Sequence, residues 1–364
     1  MIEKTESSPE VLLKIEELIE SDENFAVALV LKAEGSTPRK AGVRAVVFET
    51  GKVFGTLGGG AVEAQTQSMA IESCKSKKPV IFDFLFHGED RQDDVPICGG
   101  SMTILIDPNA AKHKELFKQA ADSVKNRIKS VSLTTIKGTG DFQLEYKWFP
   151  DSSIPSDAQF PGFDKISYCL KHEAAQLYTE SREDSSEQKQ VFVEPIIPRP
   201  LLIIAGGGHI GQALALQGNL AGFDIVVLDD RSEFTNSELF PSQTRTICGD
   251  ISKELSKINA DKDTYIVIVT RGHKNDAEAL EVSMKKSPAY IGMIGSKRKV
   301  ALIRDNFIQT DLCNEEEFNR IFTPIGLDIG AVTVPEIAVS ITAELIAVRR
   351  KGFVHKSENQ VVSK

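Results

Sequence analysis

The residue types in this chain that could do chemistry gather at glycine-rich turns. Gly206, Gly208 and Gly211 stand in G-x-G-x-x-G spacing, directly after the apolar run Leu201-Leu202-Ile203-Ile204-Ala205. In such a turn the first glycine lets the chain reverse, the second lets backbone approach a phosphate, and the third lets helix pack on strand. The N–H groups that open the following helix favour an anion. A second apolar run, residues 225–228, ends in Asp229-Asp230, where a carboxylate would accept a ribose hydroxyl. Strand, glycine turn, helix, strand and terminal acid together point to a dinucleotide-type fold and leave the ligand open.

The same device recurs in the first half. Val53-Phe54-Gly55 leads to Gly58-Gly59-Gly60 and then Ala61-Val62-Glu63, so amides at the triple glycine could cradle an anion with a helix dipole behind them. These glycines could equally be a strand-to-helix corner that needs positive φ and no ligand. The loop Gly35-Ser36-Thr37-Pro38-Arg39 offers a hydroxyl and a guanidinium, or is a solvated connection. Cys98-Gly99-Gly100 leaves a sulfur and its backbone accessible, while a small buried hydrophobe is the plainer reading of a lone cysteine. Later, His209 and His273 lie in turns. Ser296, Lys297 and Arg298 within Gly295-Ser296-Lys297-Arg298-Lys299 are candidate phosphate partners or a solvated helix start.

These residues need elements to position them. Residues 9–19 carry Val11, Leu12, Ile15, Leu18 and Ile19 at helical spacing, with Ser8 as N-cap. Residues 25–31, 44–48, 79–86 and 102–106 read as strands, 111–128 as a helix, and 131–136 with 142–149 as an antiparallel pair. Residues 179–190 contain no apolar side chain and Pro195, Pro198 and Pro200 follow, so the linker is placed there. Beyond it, strands at 201–204, 225–228, 244–247, 265–269 and 290–294 alternate with helices, the pattern of a parallel doubly wound sheet. Ligands on such sheets lie beyond the carboxyl ends of the strands, so the loops at Gly206, Asp229, Thr270 and Gly295 should share one crevice. The last helix begins near Pro335 and stops at Gly352. The expected class is α/β. An N-terminal α/β (α+β) domain covers residues 1–190, with its core in 8–110, and a C-terminal Rossmann-like doubly wound parallel-sheet domain covers 198–355.

At 364 residues the chain has room for two such domains with full cores. A hydrophobic share of 41% and a charged share of 26% are those of an ordinary soluble protein. The net charge of −9 argues against a broad nucleic-acid surface. Cys74, Cys98, Cys169, Cys248 and Cys313 are odd in number and form no C-x-x-C, which suits a reducing cytoplasm. The opening Met1-Ile2-Glu3-Lys4-Thr5-Glu6 lacks the apolar core of a signal peptide. The apolar segment 329–348 is broken by Glu336 and Glu344, a packed helix and not a membrane span. A cytoplasmic protein without nucleic-acid or membrane partners is expected.

Several of these stretches, taken in order, resemble the XdhC/CoxI family, accessory factors of xanthine dehydrogenase and other molybdenum hydroxylases. In the first half they are Gly35-Ser36-Thr37-Pro38-Arg39, Gly58-Gly59-Gly60 with Val62-Glu63, and Cys98-Gly99-Gly100. In the second they are Gly206-Gly207-Gly208-His209-Ile210-Gly211, Thr270-Arg271-Gly272-His273 with Asp276, the run from Tyr290 to Lys299, and Pro324-Ile325-Gly326-Leu327-Asp328-Ile329-Gly330-Ala331. The resemblance implies a chaperone, without turnover of its own, that binds the molybdenum cofactor as molybdopterin or its dinucleotide form. It implies hand-over to a molybdenum hydroxylase apoenzyme after the terminal ligand becomes sulfur, a cysteine desulfurase as further partner, and a homodimer.

On that resemblance the cofactor-binding residues are Ser36, Arg39, Gly58, Gly59, Gly60, Glu63, Cys98, Gly99 and Gly100, with Gly206, Gly208, His209, Gly211, Asp229, His273, Ser296, Lys297 and Arg298. Cys98 would be a molybdenum ligand or sulfur relay, since thiolates suit a soft metal. Ala61 stands where many members carry cysteine, which counts against any role needing two thiols. Two other readings stay open. One is an NAD(P)-dependent oxidoreductase resting on Gly206, Gly208, Gly211 and Asp229, with Arg231 as partner for a 2′-phosphate. The other is a nucleotide-sensing regulatory module.

Overall fold

The computed structural model describes residues 8–21, 23–86, 99–138, 140–150, 163–180 and 189–352, and of His273 and Lys274 the backbone. The chain divides into two units, Met1–Pro198 and Arg199–Lys364. Helix α1 (Ser8–Glu20) buries Val11, Leu12, Ile15 and Leu18, the stripe its spacing dictates. Ser8 does not act as the expected cap: it is helical itself, and its hydroxyl donates to the Gly42 carbonyl oxygen at 3.2 Å.

Strands β1 (Phe25–Glu34), β2 (Arg44–Phe48) and β3 (Val53–Gly55) precede α2 (Gly60–Ser76), and β4 (Val80–Phe86) and β5 (Gly100–Asp107) follow it. They pair antiparallel in the order β3-β2-β1-β5-β4. The first seven residues of β1 are all buried, so both faces of this sheet are covered. Ala26, Ala28 and Val30 pack with Met102, Ile104 and Ile106 against Val62, Ala70 and Cys74 of α2. Val27, Val46 and Phe48 pack against α1 and against Phe117 and Ala120 of α3 (Lys114–Lys125). Each large aliphatic side chain so buried contributes about 1.5–3 kcal/mol.

A second antiparallel sheet completes the unit. It contains β6 (Ser130–Lys137) and β7 (Gln143–Pro150), then, after α4 (Phe163–His172), β8 (Gln176–Glu180) and β9 (Lys189–Ile196), in the order β7-β6-β9-β8. The expected linker over 179–190 is corrected at its two ends, while residues 181–188 lie outside the described residues. Thr179 pairs with Gln190 and Glu180 with Lys189 in register, and the Lys189 Nζ stands 2.6 Å from Glu180 Oε2. β8 lies at the sheet edge, where polar side chains meet water, so Thr179 and Glu180 can end a strand whose apolar residues are Leu177 and Tyr178. Arg44 on β2 and Glu194 on β9, both buried, form an ion pair that ties the two sheets together.

In the second unit β10 (Leu201–Ala205) leads to α5 (His209–Leu220), and β11 (Asp224–Asp229) follows. After β12 (Arg245–Cys248) come α6 (Ile251–Lys257), β13 (Thr264–Ile268), α7 (His273–Met284), β14 (Tyr290–Met293), α8 (Lys297–Gln309), α9 (Glu315–Phe318) and α10 (Val334–Lys351). All five strands are parallel, in the order β12-β11-β10-β13-β14. Alternation along β10 explains the two layers of helices. Leu201, Ile203 and Ala205 face Leu255, Leu280 and Phe307 of α6, α7 and α8, whereas Leu202 and Ile204 face Leu214 of α5 and Ile341 and Leu345 of α10. This is the doubly wound Rossmann-like arrangement that apolar central strands, buried on both faces, require. Among the described residues no helix is long and apolar enough to cross a membrane.

Candidate functional site

Neighbouring strands β10 and β13 send their connections to opposite sides of the sheet, which opens a crevice at their carboxyl ends. The glycine turn after β10 fills that position. Gly206 has φ +119°, and a Cβ on it would stand 2.5 Å from the Val269 carbonyl oxygen. A Cβ on Gly211 would stand 2.0 Å from the Gly206 carbonyl oxygen, so only glycine lets α5 close on β10. Gly208 differs: no atom lies within 4 Å of where its Cβ would be. Gly208 is the N-cap of α5, whose leading N–H groups have no intrahelical acceptor. His209, exposed, is the first residue of that helix.

Asp229 ends β11 with its side chain buried. Its Oδ2 accepts the Gly207 N–H at 2.8 Å and the Arg231 Nη2–H at 3.0 Å. Its Oδ1 accepts the Arg231 backbone N–H at 3.0 Å and Nε–H at 2.9 Å. Burial works against the charge, but the Arg231 guanidinium and the two backbone donors outweigh it and hold the carboxyl below the usual aspartate range. Arg231 also lies over the Phe234 ring, 3.9 Å from guanidinium carbon to centroid. The acid expected to read a ribose also ties the glycine turn to β11.

Beyond β13 and β14, fully buried Asp276 in the first turn of α7 joins two loops. It accepts the Thr270 hydroxyl at 2.5 Å and forms an ion pair with Lys299 of α8. Ser296 caps α8, its Oγ accepting the Lys299 N–H at 3.3 Å. Lys297 and Arg298 follow, both exposed. His273 opens α7.

In the first unit three loops meet beyond the carboxyl end of β1. A Cβ on Gly35 would stand 2.5 Å from the Gly99 carbonyl oxygen, one on Gly100 2.2 Å from that of Ser36, and one on Gly58 2.4 Å from Pro38 Cγ. The stretches around Ser36 and Arg39, Gly58 to Gly60, and Gly99-Gly100 are thus in mutual contact. The Arg39 stem passes 3.7 Å from the Gly58 Cβ position. Gly59 and Gly60, with φ +77° and +64°, face open space. Two amides expected to hold an anion are already committed: the Gly58 N–H donates to Thr56 Oγ1 at 3.1 Å and the Gly59 N–H to Glu63 Oε2 at 2.9 Å. The Thr56 hydroxyl donates to the same carboxylate at 2.9 Å. Glu63 therefore serves as an internal anion at the start of α2.

Cys98 lies outside the described residues. Among those described, no three His, Cys, Asp or Glu side chains gather as a metal site. Thr56 stands outside the stretches that the sequence marks, and Pro38, Asp276 and Lys299 stand within them without an assigned role. A hydroxyl residue before a glycine corner with an acid in the next helical turn is the signal that exposes Thr56 with Glu63.

Two family models match the chain: one described as the XdhC Rossmann domain over residues 202–345, and one as the XdhC and CoxI family over residues 18–84. The "Uncharacterized protein YqeB" of Escherichia coli (strain K12) is 24% identical over 333 residues; the match covers 90% of this chain but spans only 44% of that protein. A "Probable xanthine dehydrogenase" subunit of Bacillus subtilis (strain 168) is 22% identical, with 93% and 98% of the two chains covered. The "Molybdenum cofactor insertion chaperone PaoD" of Escherichia coli (strain K12) is 23% identical, with 94% and 88% covered. A crystal structure of a xanthine dehydrogenase from Bacillus halodurans superposes with a TM-score of 0.73 at 24% identity, over 95% of this chain and 98% of that one, a likeness of fold.

Proposed function

The chain belongs to the XdhC and CoxI family, and from that premise we propose that it is a maturation factor for a xanthine dehydrogenase-type molybdenum hydroxylase. It holds the molybdenum cofactor, as molybdopterin or its dinucleotide form, and delivers it to the apoenzyme. The observation that carries this reading is the match to PaoD along 94% of this chain and 88% of that protein.

The residues fit such a ligand. Its phosphate end needs backbone donors with no side chain in the way, and the open space at Gly208 before α5 supplies that. Lys297 and Arg298 add exposed cations at the start of α8 in the same unit. The triple glycine of the first unit is the weaker phosphate cradle, because Thr56 and Glu63 already take two of its amides. If the cofactor is held in the first unit instead, Ser36, Arg39, Glu63 and Gly99 are the residues that would border it, and Cys98, outside the described residues, is the soft ligand that the family resemblance suggests. Bound, the group supplies the redox-active metal of the client enzyme. This chain's own residues bind and shield. Asp229 and Asp276 are held in ion pairs, which supports carriage without turnover.

The test is equilibrium binding of molybdenum cofactor, under reducing anaerobic conditions, to the parent and to Gly208→Val. Tight binding lost in a folded variant supports the second-unit turn as the phosphate site. Binding kept in the variant moves that site to the first unit. A parent that does not bind refutes the proposal.

A further inference from the structure

An ionised carboxylate offers about four acceptor positions, and on Asp229 four N–H groups fill them: that of Gly207, and the backbone, Nε and Nη2 donors of Arg231. Three of the four come from one residue. That residue is pinned again by the Phe234 ring against its guanidinium. The Phe234 carbonyl oxygen would stand 2.2 Å from a Cβ on Gly207, so the short helical turn Ser232–Phe234 rests directly on the glycine turn.

We infer that Arg231 is a specificity-determining residue of the second unit's crevice: by saturating Asp229 it removes the contact through which such a turn holds a ribose diol, and so excludes NAD(H) and other nucleotides that depend on it. The inference rests on the reading above that this crevice is a ligand site. A ribose hydroxyl seeks an acceptor here and meets guanidinium N–H donors. A 2′-phosphate gains no better reception, because Asp230, 3.7 Å from Arg231 Nε, and Glu233 keep the surroundings acidic.

The test uses the full chain with ADP-ribose and NADH as probes in titration calorimetry. Arg231→Met keeps an apolar stem on Phe234 and frees Asp229. It should bind ADP-ribose at least about tenfold more tightly than the parent, the scale of a hydrogen bond to a charged acceptor. Adding Asp229→Asn should abolish the gain. Arg231→Lys, whose single ammonium covers fewer acceptor positions, should fall between and carries the test if the methionine variant does not fold. Equal binding by parent and variants overturns the inference. So does tight binding by the parent that Asp230→Ala removes. Molybdenum cofactor binding by the parent, measured alongside, judges the functional reading separately, since its failure leaves the ADP-ribose comparison intact.

Discussion

Replacing Asp229 by asparagine asks how much one buried carboxylate holds the second unit's turn in place. Asparagine keeps the shape and one carbonyl oxygen, but its amide nitrogen must face donors that the carboxylate accepted. If that nitrogen takes the Oδ2 position, both the Gly207 N–H and the Arg231 Nη2–H lose their acceptor. An unpaired buried donor costs about 1–3 kcal/mol. Breaking a fully buried ion pair costs about 3–5 kcal/mol, but the Arg231 side chain is 27% exposed and regains water, so the lower values apply. The expected loss is about 2–3 kcal/mol, or roughly 5–10 °C in unfolding temperature for a unit of this size.

The pH dependence has a definite sign. The folded carboxyl is held below its unfolded value, so its contribution is complete above about pH 4 and disappears as pH falls through the lower folded value. The gap between parent and variant should therefore narrow on acidification. Thermal unfolding by circular dichroism at several pH values, with hydrogen exchange on the peptide 201–211, measures both effects. A variant that melts within about one degree of the parent at neutral pH, with unchanged exchange in the glycine turn, refutes the reasoning.

Gly211→Ala should cost more than about 2 kcal/mol in urea unfolding, because its Cβ would drive α5 off β10. Gly208→Ala, in open space, should stay within about 1 kcal/mol. Lys299→Met leaves Asp276 buried without its cation and should cost about 3–5 kcal/mol, partly recovered by adding Asp276→Asn in a double-mutant cycle. Arg44→Met should make stability fall as pH rises beyond the unfolded glutamate value near about 4.3. Burial already pushes the Glu194 carboxyl up and Arg44 pulls it back, so without Arg44 the fold retains a proton that the unfolded chain releases. Acid–base stability profiles of parent and variant read this directly.

The second unit was legible because its central strands β10, β11 and β13 are apolar runs buried on both faces, and β10 and β11 are closed by glycine and by acid. The edge strand β8 was not: its polar residues satisfy themselves through register with β9 and through water, so nothing local separates them from a linker. The glycines at 35, 58 and 100 read as turns. Each is in fact demanded by another loop's backbone or proline ring, a contact between stretches far apart in sequence. Asp229 stood out correctly as the end of its strand. Its saturation depended on where Arg231 would fold, and an arginine two positions on has many rotamers that sequence does not choose among.

The order of strands in the first unit also bears on how the chain is made. β6 gains its neighbour β7 soon after synthesis, but its other edge is covered only by β9, the last strand of the unit to emerge. Until residues 189–196 are available, Val131, Leu133 and Ile136 lie on a strand with an open row of N–H and C=O groups. Nascent chains halted before that point would carry an adhesive edge that other chains can extend. The half completes itself only at Pro198, when Leu201 is about to begin the next sheet, so a slow passage through residues 181–196 should expose more chains to aggregation than a slow passage anywhere after it.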